Sequence, residues 1–332
     1  MTFCLCMVAF SSKTLAQDVV WKKRFGNSDA EVYYSVVAVP GGTVAAGTST
    51  GDWRGVSERD AIVVKHDNDG NLLWKKNFGG NAEDQYNAIT AVPDGVVAVG
   101  LSVENSFGSG DWSGVTTNGW NDAIIVKYDF NGKVVWKKNF GGNDLDYFNS
   151  ATAVSDGIVV VGASYPNSFG NGDFSGIAGR GYIDAVIVKY DNAGNLVWKK
   201  NFGGNNVDGF GSVTTISDDI VVVGASFVTS FGNGDWVGVT GKGMDDAIIV
   251  KYKNGNGSTG ITDTGIDNLI VYTQNQSILI ANAQSQPVKI MNLTGITLVN
   301  KTVDTPVAEF YMADKGVYLV VAGGKAHKVV VH

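Results

Sequence analysis

The sequence feature that most limits the fold is an internal repeat. The string WKKNFGGN occurs three times, starting at residues 74, 136 and 198, and a shorter form, VVWKKRFG, lies at 19–26. The tryptophans that open these strings are separated by 53, 62 and 62 residues. Periods of this length are typical of chains built from stacked supersecondary units, because each unit must bury its faces against a neighbour.

Each repeat contains four apolar runs of strand length. In the second repeat they are YNAITAV (86–92), GVVAVGLS (95–102), DAIIVKYD (122–129) and KVVWKKNF (133–140). Glycine, asparagine and aspartate bound the runs, and the turn DFNGK fits a short hairpin. The second run is apolar throughout, which is typical of a strand covered on both faces. Four antiparallel strands per repeat predict the blade of a β-propeller.

The last repeat lacks its fourth strand. After DDAIIVKYK (245–253) the expected strand is replaced by NGNGSTG, whereas an orphan copy stands at 19–25. We therefore predict an all-β fold with a four-bladed β-propeller over 17–255, in which strand 19–25 completes the last blade. Closure would remove the exposed strand edges of a linear array. A linear array, and a larger ring formed by dimerisation, stay open as alternatives.

The first segment predicts export. Residues 1–16 combine a short apolar core with a small-residue region, the pattern of a secretory signal peptide, although a positive n-region is missing. The alternative is a buried N-terminal strand. Cys4 and Cys6 both lie in this segment, so a mature chain from Gln17 would contain no cysteine. The net charge of −7 argues against nucleic acid as a partner, and no apolar run is long enough for a transmembrane helix.

A second domain is predicted at 256–332. It follows a Gly/Ser/Asn-rich linker, and its short alternating runs indicate a small Ig-like β-sandwich. The segments VKIMNLTG (288–295) and FYMADKGVYLVVAGGKAHKVVV (310–331) resemble the C-terminal sorting domain of the type IX secretion system of Bacteroidetes. The resemblance implies contact with that secretion machinery, passage across the outer membrane, removal of the domain, and a secreted or surface location. The alternative is an ordinary Ig-like accessory domain.

The repeats themselves resemble bacterial surface-protein propeller repeats of the W-x-x-x-F-G-G type, a resemblance that implies no defined activity. Residues that recur in every repeat are predicted to be structural, because one active site has no use for four equivalents. They include three sets: Asp84, Asp146 and Asp208 with Glu31; Asp60, Asp122, Asp184 and Asp246; and Lys65, Lys127, Lys189 and Lys251. His66 takes the place of tyrosines in the other repeats and is predicted to fill an aromatic slot.

The loops between the second and third strands carry the candidate site. Their aromatic residues suggest a sugar-binding surface, in which ring faces meet the apolar side of a pyranose. The candidates are Trp53, Trp112, Trp120, Phe174, Tyr182 and Trp236. The alternative is that these rings pack under their own loops. The GSGD and GNGD strings make Asp111, Asp173 and Asp235 weak candidates for calcium, and no other cofactor is indicated.

These observations predict an exported binding protein, secreted or held at the cell surface, whose loops bind a glycan or a protein. The chain is not expected to be an enzyme. A polysaccharide hydrolase would need one repeat with a carboxylate pair absent from the others. The third alternative is a purely structural surface component.

Overall fold

The computed structural model describes residues 18–26, 28–50, 59–254, 270–274, 276–281, 287–292, 294–305, 307–322 and 325–331. The predicted signal peptide at 1–16 and the candidate residue Trp53 lie outside these ranges. The chain divides into two compact units, Met1–Gly257 and Ser258–His332, and each is described by itself. In the described ranges, no helix has both the length and the apolar character needed to cross a membrane.

In the first unit each repeat folds into an antiparallel meander, as its four apolar runs predict. Sheet 1 contains β1 (Ala30–Val39), β2 (Gly42–Thr50), β3 (Asp60–His66) and β4 (Leu72–Phe78). Sheet 2 contains β5 (Asp84–Val92), β6 (Gly95–Val103), β7 (Asn121–Asp129) and β8 (Val134–Phe140). Sheet 3 contains β9 (Asp146–Val154), β10 (Gly157–Ser164), β11 (Asp184–Tyr190) and β12 (Leu196–Phe202). Sheet 4 contains β13 (Asp208–Ile216), β14 (Asp219–Phe227) and β15 (Asp245–Tyr252).

The second strand of an interior sheet is buried on both faces, which confirms the prediction made from its continuous apolarity. In β6, Val96 and Ala98 pack in a cluster shared with sheet 1, whereas Val97 and Val99 pack in a cluster shared with sheet 3. Successive side chains of a strand point to opposite faces, so one run of valines serves two interfaces. Each fully buried valine contributes about 1.5–3 kcal/mol.

A β-bulge explains the glycine that recurs in the second strand. In sheet 2 the pairing of β5 with β6 shifts between Tyr86 and Ala88, and Gly100 lies opposite the shift. A Cβ added to Gly100 would lie 1.9 Å from the carbonyl oxygen of Gln85. The bulged strand therefore leaves no room for a side chain at this position. The same approach of backbone to glycine occurs at Gly47, Gly162 and Gly224.

Polar contacts join neighbouring sheets through the first strands. The Ser35 hydroxyl of sheet 1 accepts a hydrogen bond from the Ile89 backbone N–H of sheet 2 at 3.2 Å. The Asn87 amide of sheet 2 donates to the Phe148 carbonyl of sheet 3 at 2.9 Å. Sheets 3 and 4 repeat both bonds with serine and asparagine at the equivalent positions. Each junction therefore uses one or both of the same two polar contacts.

Two of the recurring lysines link neighbouring sheets, which agrees with the structural role predicted for them. Lys127 forms its ion pair within its own sheet, at 2.8 Å from Asp94, and donates across the junction to the Asn192 carbonyl of sheet 3. Lys189 likewise pairs with Asp156 at 2.7 Å and donates to Asn254. The carboxylate partner thus lies in the same sheet, and the hydrogen bond to a neighbouring turn makes the link.

The predicted closure of the array by residues 19–25 is not present in this structure. The described residues 18–26 form no strand, and sheet 4 has three strands with β15 at its edge. The Trp21 indole instead donates to the Asn68 carbonyl of sheet 1 at 3.1 Å, just as Trp74 of sheet 1 donates to the Phe130 carbonyl of sheet 2. The segment keeps the contact that a fourth strand makes with the following sheet but not its pairing with a third strand.

The second unit is also all-β. Its strands are β16 (Ile270–Gln274), β17 (Ser277–Ala281), β18 (Pro287–Asn292), β19 (Thr297–Thr302), β20 (Val307–Tyr311), β21 (Gly316–Ala322) and β22 (Lys325–Val331). They form two antiparallel sheets, ordered β16-β17-β20 and β19-β18-β21-β22. Ile280, Val288, Phe310 and Val320 share one buried cluster drawn from both sheets. The arrangement agrees with the predicted small antiparallel unit, and its Ig-like character stays a prediction.

Candidate functional site

The candidate site lies at one end of the sheets, which we call the loop face. It consists of the loops 104–120, 165–183 and 228–244, together with the segments 79–83, 141–145 and 203–207 that follow the fourth strands. In an antiparallel meander, the ends of the second and fourth strands lie on the same side, so these loops and segments emerge together. Each loop contains two short 3₁₀ turns, the second formed by Gly-Asp-Trp or Gly-Asp-Phe.

A buried carboxylate anchors the loop of the second repeat. Asp84 accepts hydrogen bonds from the hydroxyls of Ser102 and Ser106, from the Gly80 N–H at 2.9 Å, and from the Trp112 indole at 2.9 Å. Burial raises the pKa of Asp84, and these four donors oppose the shift. The carboxylate fixes a loop to a strand end, which confirms the prediction of a structural role.

The third repeat has the same arrangement but keeps only two of these four hydrogen bonds. Asp146 accepts bonds from the Gly142 N–H and the Ser168 hydroxyl, each at 2.8 Å. Phe174 stands where the second repeat has an indole, and Asp146 Oδ1 makes no hydrogen bond of normal geometry within the described ranges. Burial raises the pKa of Asp146 to about 7, which the neighbouring hydroxyls of Ser164 and Ser168 only partly offset.

The carboxylates that open the third strands are also held by loop backbone. Asp122 accepts from the Asn118 N–H at 2.9 Å, and burial raises the pKa of Asp122 to about 6. Asp184 accepts from the N–H groups of Arg180 and Gly181, each at 2.9 Å. These bonds confirm the predicted structural role of the two carboxylates, whereas their deep burial was not predicted.

The glycine pair after each fourth strand is required by the contact between its segment and the next loop. A Cβ added to Gly142 would lie 2.0 Å from the Ser168 carbonyl oxygen. A Cβ added to Gly80 or Gly204 would lie 1.8 Å or 1.9 Å from the carbonyl oxygen of the equivalent serine. The recurring Phe-Gly-Gly string is therefore a joint between consecutive repeats.

The weak calcium candidates are occupied by protein donors. The side chain of Asp111 accepts from the Gly79 N–H at 3.1 Å. Asp173 accepts from the Asn118 amide at 2.9 Å, and Asp235 forms an ion pair with Arg180. Among the described residues no group of three histidine, cysteine or acidic side chains is arranged to hold a metal ion. The donor sets do not fit calcium, which needs six to eight oxygen ligands.

Three of the predicted ligand-binding rings pack beneath the loops. Trp112 and Phe174 are fully buried and Trp236 is partly buried. Trp112 meets Phe78 of the preceding sheet edge-on at 4.8 Å and Phe107 of its own loop at 4.9 Å. A ring enclosed in this way cannot stack on a sugar, so the assignment of Trp112 and Phe174 to the site is wrong. The alternative of packing under the loops is the correct one for them.

The other predicted rings are exposed. Trp120 is 67% exposed and Tyr182 is 59% exposed, each two residues before the aspartate that opens a third strand. Met244 occupies this position in the fourth repeat and is 76% exposed. We call these three residues the loop row. Met244 was not predicted, although its position relative to Asp246 could have identified it.

The backbone beneath the loop row is tied to its surroundings. The Trp120 carbonyl accepts from the Glu104 N–H at 2.6 Å, and the Met244 carbonyl accepts from the Val228 N–H at 2.8 Å. The Tyr182 N–H donates to the Asn206 carbonyl at 3.1 Å, and Tyr165 meets the Tyr182 ring at 6.0 Å. Exposed rings therefore stand on a fixed base.

An exposed asparagine accompanies the row. Gly119 lies against the backbone of Asn143, so that an added Cβ would be 2.6 Å from the Asn143 carbonyl carbon. The Asn143 residue is exposed, and Trp120 follows Gly119 directly. The backbone of Asn143 thus lies beside the residue that precedes Trp120, and Asn143 was not among the predicted site residues.

No family model matches the chain, and no curated protein matches its sequence. Among solved structures, the phage phi92 endosialidase aligns over 85% of this chain and 43% of its own, with 11% identity and a TM-score of 0.40. PorZ, a surface component of the type IX secretion system of Porphyromonas gingivalis, aligns over 90% of this chain and 51% of its own, with 10% identity and a TM-score of 0.25. A glycoside hydrolase of family 32 from Bifidobacterium adolescentis aligns over 88% and 62%, with 10% identity and a TM-score of 0.29. This chain thus spans less than two thirds of each of these proteins.

Proposed function

We propose that the four sheets are blades of a propeller-type array and that the protein is an exported, non-catalytic glycan-binding protein. The observation that carries the proposal is the loop row, in which Trp120 and Tyr182 expose their rings at equivalent positions of consecutive repeats. A contiguous exposed apolar surface marks an interaction site, and we infer that these two rings form such a surface. A ring face covers the apolar side of a pyranose, and the Asn143 amide can donate to and accept from its hydroxyls.

The charge of the chain narrows the class of glycan. With a net charge of −7, the protein repels polyanionic polysaccharides at low ionic strength. We therefore propose neutral polysaccharides as ligands. Their hydroxyl-rich, uncharged chains need only the stacking and amide contacts that the loop row supplies.

A hydrolase is less well supported by the geometry. Glycoside hydrolysis needs two carboxyl groups that reach the same glycosidic bond. The carboxyl groups with raised pKa, such as Asp122 and Asp146, are buried and already accept hydrogen bonds from loop backbone. They can hold the loops but cannot touch a polysaccharide.

Affinity electrophoresis of the full chain in gels containing xyloglucan, mannan or polygalacturonate tests this proposal. We expect retardation by a neutral polysaccharide and not by polygalacturonate. Each ring contributes about 0.5–1.5 kcal/mol, so the Trp120→Ala/Tyr182→Ala variant should bind about 5- to 150-fold more weakly. Tyr311→Ala is the matched control, because Tyr311 is equally exposed but lies in the second unit. Unchanged binding by the double variant, or no binding by the parent chain, would refute the proposal.

We further propose that the second unit directs type IX export. The segment that carries the resemblance forms a hairpin of β21 and β22, with Val317 paired to Val330 and Leu319 to Lys328. The test fuses residues 258–332 to a reporter protein in a Bacteroidetes host. Reporter outside the cells, lost when residues 310–331 are deleted or when the host lacks the secretion system, supports the proposal. Retention in the periplasm with the intact unit contradicts it.

A further inference from the structure

The two ends of the array expose faces that are buried at every interior junction. At the first end, Val36 in β1 is 64% exposed, whereas its equivalents Ile89 and Val213 are 6% and 7% exposed. At the other end, Ile249 in β15 is 71% exposed, whereas its equivalent Ile187 is fully buried. Each end therefore presents a packing face without the neighbouring sheet that covers the equivalent face at the interior junctions.

The face of sheet 1 forms a groove of about 580 Å³. It runs between Trp21 and Phe25 of the N-terminal segment and Tyr33, Val36 and Ala45 of sheet 1. At the next junction the equivalent residues of sheet 2 meet Val44, Ala46, Ala61 and Val63 of sheet 1. The groove has the shape and lining of a site for the corresponding face of a sheet.

Sheet 4 presents that corresponding face. Its residues Val221, Val223, Ala247 and Ile249 are the counterparts of Val44, Ala46, Ala61 and Val63. Val223 and Ile249 are exposed, and β15 has no strand beyond it within the described ranges. Lys251 also lacks the cover of a neighbouring sheet. More than half of its side chain is exposed, whereas the side chain of the equivalent Lys189 is fully buried.

The missing strand can also be identified. VVWKKRF at 19–25 matches LLWKKNF of β4, which pairs with β3 through Ala61–Phe78, Val63–Lys76 and Lys65–Trp74. Transfer of this register to β15 places Phe25 opposite Ala247, Lys23 opposite Ile249 and Trp21 opposite Lys251. Trp21 already lies against sheet 1 in the manner of a fourth strand.

We propose that the occupant of both end faces is a second copy of this chain. Sheet 4 of one copy packs on sheet 1 of the other, and residues 19–25 of the second copy add the fourth strand to β15 of the first. The end faces of one copy do not cover each other, so the partner face must come from another molecule. Propellers have typically four to eight blades, so two copies of four close a ring of eight with two identical junctions.

Cysteine cross-linking tests the register. Full chains carrying Cys4→Ser and Cys6→Ser receive either Lys23→Cys or Ile249→Cys, and the two proteins are mixed in equal amounts and oxidised. A pair opposite each other in antiparallel strands lies within disulfide range, so a covalent dimer of the two variants should form rapidly. Mixing Lys23→Cys with Lys133→Cys, an exposed site on the β7–β8 turn, is the control and should give at least tenfold less dimer.

A chain that carries both cysteines distinguishes the alternatives. A disulfide-linked monomer would show that each copy closes on itself and would overturn the proposal. Sedimentation velocity of the unmodified chain should give twice the 35.0 kDa monomer mass. A monomer at 50 µM, or filaments larger than two copies, would also overturn it.

Surface variants separate loss of assembly from loss of fold. Val36→Lys and Ile249→Lys replace side chains that are exposed in the single chain, so each copy should keep its fold while the dimer is lost. Val135→Lys replaces an exposed valine outside both end faces and should leave the dimer intact. Persistence of the dimer in both end-face variants would refute the interface. The result is independent of glycan binding, which is measured at the loop row.

Discussion

Replacement of Phe174 by tryptophan should supply the hydrogen bond that the Asp146 carboxylate lacks. In the second repeat, the Trp112 indole donates to Asp84 at 2.9 Å, and in the third repeat Phe174 occupies the equivalent position beside Asp146. The added ring volume has a natural compensation. Three residues later, the second repeat has Val115 and the third has Ile177, and both pack in the cores beside these rings.

The variant Phe174→Trp/Ile177→Val therefore copies a pair that the chain already uses. The fourth repeat has the same combination in Trp236 and Val239, and the Trp236 indole donates to Asp208 at 3.1 Å. The Phe174→Trp change adds volume to the core, and the Ile177→Val change removes volume beside it. Such volume-conserving exchanges in a core usually cost less than 1.5 kcal/mol.

The size of the expected change in the free energy of unfolding follows from the pKa of Asp146. Burial raises it from 3.8 to about 7, so the folded protein keeps a proton that the unfolded chain releases near pH 4. Between these values the folded state binds about one proton more, and the free energy of unfolding falls by about 1.4 kcal/mol per pH unit as the pH rises. The total loss from this group approaches about 4 kcal/mol above pH 7.

An indole donor favours the charged carboxylate. A hydrogen bond to a charged group contributes about 1.5–3 kcal/mol, so the pKa of Asp146 should fall by about one to two units. The variant should be more stable than the parent chain by this amount at pH 8. At pH 5, where Asp146 is protonated in the folded parent protein, the gain should be small.

The assay combines a direct and an indirect measurement. The ¹³C chemical shift of the Asp146 carboxyl carbon, assigned with Asp146→Asn, gives the pKa by titration. Urea unfolding of the full chain at pH 5 and pH 8 gives the change in stability. Ile177→Val alone is the control, because it should cost about 0.5–1.5 kcal/mol at both pH values. The reverse variant, Trp112→Phe/Val115→Ile, should raise the pKa of Asp84. An unchanged Asp146 pKa, or equal gains at pH 5 and pH 8, would refute the reasoning.

Two further predictions concern the junctions. Gly142→Ala should destabilise the fold by about 2 kcal/mol or more, because the added Cβ would lie 2.0 Å from the Ser168 carbonyl oxygen. Gly170→Ala is the control, because Gly170 lies beside open space and its substitution tests only the backbone strain of a positive φ. Urea unfolding measures the stability of both variants, and a smaller loss for Gly142→Ala than for Gly170→Ala would count against the close contact. Lys189→Met should lower the stability of the fold by about 1–3 kcal/mol, because it leaves Asp156 without its partner. Lys251→Met, at the exposed equivalent position, should change stability by less than about 1 kcal/mol. Equal losses of stability would contradict the difference in burial between the two lysines.

Local patterns in the sequence predicted the sheets well, because period, turn glycines and continuous apolar runs all act within one repeat. The antiparallel meander and the two-sided burial of β6 follow from these signals alone. The structural role of the recurring carboxylates was also predictable, since identical residues in every repeat cannot serve a single reaction.

Long-range features were not predictable in the same way. Trp112 and Trp120 both lie in one glycine-rich loop, yet the first is buried and the second exposed. Their difference depends on Phe78, which belongs to the preceding sheet, so no feature of the loop itself separates them. Whether the array closes depends on the rotation angle between each sheet and the next. This angle is the sum of many small packing differences, and residue patterns do not reveal it.

The alikeness of the junctions has a consequence for how such a chain can change in evolution. One stretch of 62 residues supplies both packing faces of a repeat. The same stretch contains the Phe-Gly-Gly string that contacts the next loop. Duplication of one such stretch would insert a sheet whose two surfaces already fit their neighbours, and deletion would remove one without leaving a mismatch. The number of sheets can therefore vary by recombination within the gene, while the residues that form each junction between neighbouring sheets stay the same.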